Sequence, residues 1–326
     1  MPKCIASSSL GAKPDTYLYK LAQAQGILAT IGSDDSLRLF DASLNLLSRA
    51  PSCHLGVSCL DVLSHQTLIT AGRDGAIRLW DTRAKPAAAN LSEPNNRALS
   101  ALACHGERYI AAGTDSAKEG LGDVSVLLFD VRNPAGPLRH YAESHTDAIT
   151  QLAFHQLQPH VLLSGSTDGL VSLFDIEHAD EEDALQQVLN PRSAVHCAGF
   201  LAPDQAYVFT TDEHFLIYSL TVNAEDTVDE KSVVADFGDV RKGLDCMYVI
   251  DLLRDPSSGQ PLVACGHNEK RTLSLVQLAG PGPWAFGQRV ELPAAHGDEV
   301  VRDLLLTADR RAYTCGEDGQ VKVWQL

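Results

Sequence analysis

Four residues near the end of the chain have types that could do chemistry together. His296, Thr314, Asp318 and Trp324 include the components of a nucleophilic triad. In such a triad a base activates a hydroxyl and a carboxylate orients the base. The same types also suit a buried hydrogen-bond network, because Trp324 offers only an N–H donor and a buried donor needs an acceptor. Related sets occur at Thr70, Asp74 and Trp80, with His54 offset by one residue, and at His145, Ser164 and Asp168. In the latter, Phe174 stands where Trp would and has no N–H to give. All of these residues are read as a structural network, and none as catalytic. Cys53, His54 and Cys59 fit no zinc-binding spacing, so no metal site is expected. The chain contains no H-E-x-x-H, no G-x-S-x-G and no phosphate-binding loop; Gly120 and Gly122 do not complete one. No cofactor and no enzymatic activity are expected.

The elements that position these residues are copies of one phrase. Ile27–Asp41, Leu68–Asp81, Val161–Asp175 and Ala312–Gln325 each begin with a short apolar run. Each continues through Gly and an Asp-containing turn into an alternating strand that ends on an aromatic residue. A further copy runs from Tyr109 to Asp130 with an insertion at 114–123, and weaker copies end at Tyr218 and Leu275. The anchors at 40, 80, 129, 174, 218, 275 and 324 are 40 to 57 residues apart. That spacing is near the period of about 40–45 residues expected of four-stranded propeller blades. Asp-Gly supplies the tight turns, since Gly accepts positive φ and Asp bonds the local backbone. The expected fold is all-β: a seven-bladed β-propeller in one domain over 1–326. The chain ends after a third strand, so the N-terminal segment near Lys3–Ser8 is expected to supply the missing outer strand and close the ring.

The endings Trp80-Asp81 and Phe174-Asp175, with His145 ahead of the strand at Ile149, resemble those of the WD-repeat propellers. The words Ser9–Leu18, Glu143–Gln151, Ser164–Val171 and Phe174–Leu185 are similar to the WD repeat-containing protein 89 family. This resemblance implies a non-enzymatic propeller that works by binding proteins. Trp80-Asp81-Thr82-Arg83 also matches the W-D-x-R box of WD-repeat substrate receptors, in which the Arg meets a cullin-RING ubiquitin ligase adaptor. By that resemblance Arg83 would be the docking residue, and Phe129-Asp130-Val131-Arg132 is a degenerate second copy.

Composition narrows the partners. The chain has 326 residues, 26 Lys and Arg against 42 Asp and Glu, and a net charge of −16. Such a balance argues against direct nucleic-acid binding, which needs clustered basic residues. No apolar run approaches the length of a membrane span, and the first residues do not read as a secretory signal. Eight scattered cysteines read as reduced thiols of an intracellular protein, cytoplasmic or nuclear. The expected partner is a protein or peptide, held by a monomer within a complex. Arg73, Asp34, Asp35, Asp115, Lys118, Glu119, Asp147, His214, Asp298 and Glu317 are the candidate contacts, on the strand-two/three turns and the blade lead-ins. Asp180–Asp183, Glu225-Asp226 and Asp229-Glu230 offer an alternative reading, an acidic carrier of a basic nuclear or ribosomal client.

Overall fold

The repeated apolar runs become the second strands of successive sheets. In the computed structural model, which describes residues 2–83, 89–118, 121–220, 232–280 and 283–326, six of these strands share one burial profile. Ile27–Gly32, Thr67–Gly72, Tyr109–Thr114, Val161–Ser166, Gln205–Thr210 and Arg311–Gly316 each have a partly covered first residue and five buried ones. A strand buried on both faces needs a neighbour along each edge and cover over each face. Each lies second in a four-stranded sheet, and the described residues form seven such sheets. The fold class is an all-β, seven-bladed β-propeller. The seventh sheet takes its outer strand from the start of the chain: Lys3–Ser8 runs antiparallel to Val321–Gln325, with Lys3 opposite Gln325 and Ser8 opposite Val321.

The chain divides into two compact units, Met1–Leu60 with Val240–Leu326, and Asp61–Asp239. Within the second unit, adjacent residues of one strand feed opposite cores. Leu162 packs with Ala111, Leu128, Ile149 and Phe174. Leu163 packs with Val171, Val195, Val208 and Leu216. Within the first unit, Tyr313 and Val323 join Leu18, Leu28 and Phe40. Their neighbours Ala312 and Trp324 join Ile250, Leu275 and Leu304. Burying one large aliphatic side chain stabilises by about 1.5–3 kcal/mol, and here both faces of a sheet gain at once.

Two local devices let the sheets approach. The first strand of six sheets shifts register within its first two residues, as between Leu99 and Ala101 or Ile149 and Gln151. The residue left in the bulge can then reach sideways. Ser100 Oγ donates to the Ile149 carbonyl at 2.7 Å, and Thr150 Oγ1 donates to the Val195 carbonyl at 2.9 Å. The second device is the glycine near the end of the second strand. A Cβ on Gly113 would lie 2.5 Å from Ile149, and one on Gly165 would lie 2.8 Å from Val195. Gly113→Ala is therefore expected to destabilise the fold by about 1–3 kcal/mol through overpacking. Urea unfolding of the variant checks this, and a midpoint equal to wild type would count against the close-approach role.

Candidate functional site

The triad-like residues of the seventh sheet form one buried relay. The indole of Trp324 donates to Thr314 Oγ1 at 3.2 Å. His296 Nε2 lies 2.8 Å from the same hydroxyl, and its Nδ1 lies 2.7 Å from Asp318 Oδ1. One proton arrangement satisfies all of these contacts: Thr314 O–H donates to Nε2, and Nδ1–H donates to the carboxylate. Asp318 also accepts from the Gln320 N–H at 3.0 Å, so one carboxylate both builds the turn and holds the histidine. Thr314 and His296 are buried, and the hydroxyl oxygen is occupied by the indole N–H. A nucleophile needs that oxygen open to a substrate. The relay ties turn, lead-in and strand together and presents no attacking atom.

The other sheets vary the arrangement. In the fourth, His145 lies 3.0 Å from Asp168 and 2.7 Å from Ser164, without an indole donor. In the second, Trp80 donates to Thr70 Oγ1 at 2.8 Å, and Arg78 donates to Asp74 at 2.8 Å; His54 is buried. The first sheet replaces histidine with arginine. Asp34 accepts from buried Arg38 at 2.5 and 3.1 Å and from Arg49 at 2.9 Å. Burial alone would raise the Asp34 carboxyl, but the hydrogen bonds from Arg38 and Ser36 hold it down at about 2. The lead-in to the third sheet uses buried Glu93, gripped by Arg97 through two nitrogens at 2.8 and 2.9 Å. Arg97 reaches on to Ser125 at 3.0 Å, and His140 lies 2.9 Å from that serine. Sequence reasoning missed Glu93, Arg97 and His140. It also missed the cation four residues after the turn Asp, present at Arg38, Arg78 and Lys322.

The candidate contact residues separate into engaged and open groups. Asp35, at φ 57, takes the place glycine holds in other turns, and its carboxylate accepts the Val57 N–H at 2.9 Å. Asp147 accepts the Ala148 N–H at 2.7 Å. Asp298 is forked by Arg271, Glu317 pairs with Arg302, and His214 lies 2.6 Å from Asp236. Asp115 is half-buried, with its N–H on the Ala98 carbonyl, whereas Arg73 and Lys118 are exposed. Glu119, Glu225, Asp226, Asp229 and Glu230 lie outside the described residues. Arg83 is exposed but folds back on its own neighbour, with Nε at 3.0 Å and Nη2 at 2.7 Å from the Asp81 carboxylate. That fork holds the Asp81 carboxyl down at about 2. Arg132 repeats the fork on Asp130. The acidic run 180–183 is partly structural as well. Asp180 caps a short helix, and Glu181 accepts the N–H groups of Ala142, Glu143 and Ser144.

The lead-in loops carry apolar side chains that sequence reasoning did not single out. In the first unit Tyr17, Leu55 and Met247 precede first strands and are 42%, 78% and 43% exposed. In the second unit Leu121, which belongs to the 114–123 insertion noted from the sequence and not to a lead-in loop, is 59% exposed. Among the described residues no group of three or more His, Cys, Asp or Glu is placed to hold a metal ion, and no helix is long and apolar enough to cross a membrane.

Two outcomes follow from the relay. Thr314→Val strands the Trp324 donor and should cost about 1–3 kcal/mol, read from chemical unfolding. Burial depresses the His296 imidazole below its ordinary 6.5, against the pull of Asp318. The unfolded chain therefore takes up this proton first. Its contribution to stability is whole above pH 6.5 and declines as the pH falls from there toward the depressed value. Melting curves across this range should show the decline in wild type and a flatter profile in His296→Gln.

Residues 47–81 and 136–175 match the WD domain, G-beta repeat family. The chain is 30% identical over 330 residues to an uncharacterized WD repeat-containing protein of Saccharomyces cerevisiae, covering 98% of this chain and 81% of that one. A second such protein, from Schizosaccharomyces pombe, is 29% identical over 98% of this chain and 99% of its own length. The WD repeat-containing protein 89 homolog of Dictyostelium discoideum is 24% identical, covering 94% and 82%. A chain in the crystal structure of the mitotic checkpoint complex superposes with a TM-score of 0.74 over 99% of this chain and 91% of that one. At 16% identity this last likeness concerns the fold alone. Seven four-stranded sheets, the repeated turn chemistry and relatives matched over most of their length lead to one conclusion: the chain belongs to the WD-repeat family.

Proposed function

We propose that this chain is a non-enzymatic scaffold that binds a protein partner through the loops leading into its sheets. The observation that carries the reading is the exposure of Tyr17, Leu55 and Met247 on lead-in loops of the first unit. Apolar and aromatic side chains held in water on loops of a rigid framework mark protein contact surfaces, and aromatic residues and Met are enriched at interfaces. Apart from Leu121 on its strand-two/three turn, the other exposed large apolar residues among those described are placed differently. Ile5, Leu46, Leu47, Val234 and Val290 lie on fourth strands, and Leu138 and Leu157 lie at the opposite ends of their sheets. The relays of the fourth and seventh sheets are spent on structure, which leaves contact rather than chemistry for the loops.

The net charge of −16 makes a basic partner the electrostatically complementary one. Docking on a ubiquitin-ligase adaptor through Arg83 would first require its guanidinium to leave Asp81, so this reading ranks below the loop surface. Affinity capture with the intact chain, comparing Leu55→Ser with Met247→Ser combined against Arg83→Ala, tests the order. The combined variant should lose the captured partners at an unchanged melting temperature, and Arg83→Ala should keep them. Partners lost only with Arg83→Ala would reverse the ranking.

A further inference from the structure

The fifth sheet carries a cavity of about 750 Å³, set wholly within the second unit. Its walls come from the lead-in loop at Pro191 and Ser193, the turn at Asp212 and His214, the third strand at Tyr218 and the outer strand at Asp236. Tyr218 is 2% exposed, yet its hydroxyl has no hydrogen-bond partner. Buried hydroxyls are nearly always paired, so an unpaired one on a side chain that lines a cavity calls for a partner from outside. Both carboxylates are half used. Asp236 Oδ1 accepts from His214 Nε2 at 2.6 Å and from the Gly238 N–H at 2.8 Å. Asp212 Oδ2 accepts from Ser193 Oγ at 2.5 Å. Asp236 Oδ2 and Asp212 Oδ1 hold no hydrogen bond among the described residues.

We infer that this cavity receives a lysine or arginine side chain from a basic segment of the partner. Two carboxylates against the guanidinium of Arg192, with the His214 imidazole already engaged by Asp236, favour a cation over a phosphate, which both Asp residues would repel. Leu216 and Val233 offer an apolar wall for the aliphatic stem of such a side chain. The Tyr218 hydroxyl supplies an acceptor for one N–H of its head group. Burial, with Asp236 adding to it, pushes that hydroxyl up to about 12, so it stays protonated and uncharged at neutral pH. The inference rests on the scaffold reading and adds to it the chemistry of what is bound.

The test uses the full chain and a short, unstructured peptide of alternating glycine and lysine, followed by calorimetry. Asp212→Asn with Asp236→Asn should weaken binding by about tenfold or more, since charge-assisted hydrogen bonds are lost. Tyr218→Phe should weaken it severalfold while melting at or above the wild-type temperature, because no internal hydrogen bond is removed. Acetylating the lysines should abolish binding. Equal binding of acetylated and free peptides, or unchanged affinity in the double variant, would overturn the proposal. Inorganic phosphate bound in a manner lost on Arg192→Gln would overturn it too, and assign the cavity to anions. If the lysine peptide fails to bind while Leu55→Ser with Met247→Ser still strips a captured partner, the cavity assignment falls and the scaffold reading stands.

Discussion

A β-sheet that is apolar on both faces cannot persist alone in water. Every other feature of this chain is arranged around that constraint. Leu162 and Leu163 sit side by side on one strand and enter different cores. The fourth sheet is therefore a wall shared by two cores, as the seventh is, and each depends on neighbours close enough to touch. The closeness explains why glycine stands at 113 and 165, where any side chain would strike the next sheet. It also explains the bulges, which turn Ser100 and Thr150 aside to bond the neighbouring backbone. With the sheets fixed this tightly, the loops between them become the part of the surface able to differ from blade to blade.

The relay of His296, Thr314, Asp318 and Trp324 shows how residue types shared with hydrolases serve a structural end. What separates the two uses is the far side of the hydroxyl. Here its oxygen accepts the indole N–H of Trp324 while its proton goes to the imidazole, and the group is buried. The sheets solve the same problem with different residues: arginine on Asp34 in the first, and Glu93 with Arg97 leading into the third. In each case a carboxylate fixes a turn or lead-in and is satisfied by a cation, an imidazole or backbone N–H groups. These groups are the ones a search for acid–base chemistry would select first.

The sheet framework was legible because its signals are local. An apolar run, a turn rich in Asp and Gly, and a closing aromatic occupy about fifteen consecutive positions, and turn chemistry acts within a few residues. The members of the seventh-sheet relay are recognisable for the same reason, since side-chain type and repeat position suffice to group them. What the sequence hid depends on distance along the chain. Glu181 looks like part of a solvated acidic run until the fold brings it to Ala142 and Ser144. Arg83 looks open until its fork on Asp81 is seen. The half-used carboxylates at Asp212 and Asp236 emerge only when the loop, turn and outer strand meet. Nor could sequence show that Leu55 and Met247 stand in water, because an apolar residue near a strand start reads as core.

Hydrogen–deuterium exchange of the intact chain, with and without a purified partner, tests the central claim most directly. New protection at residues 51–56 and 245–247, with unchanged exchange in the outer strands at 46–50 and 285–293, is the expected footprint. Protection confined to those outer strands, with the lead-in loops exchanging as freely as before, would contradict a partner held by the loops.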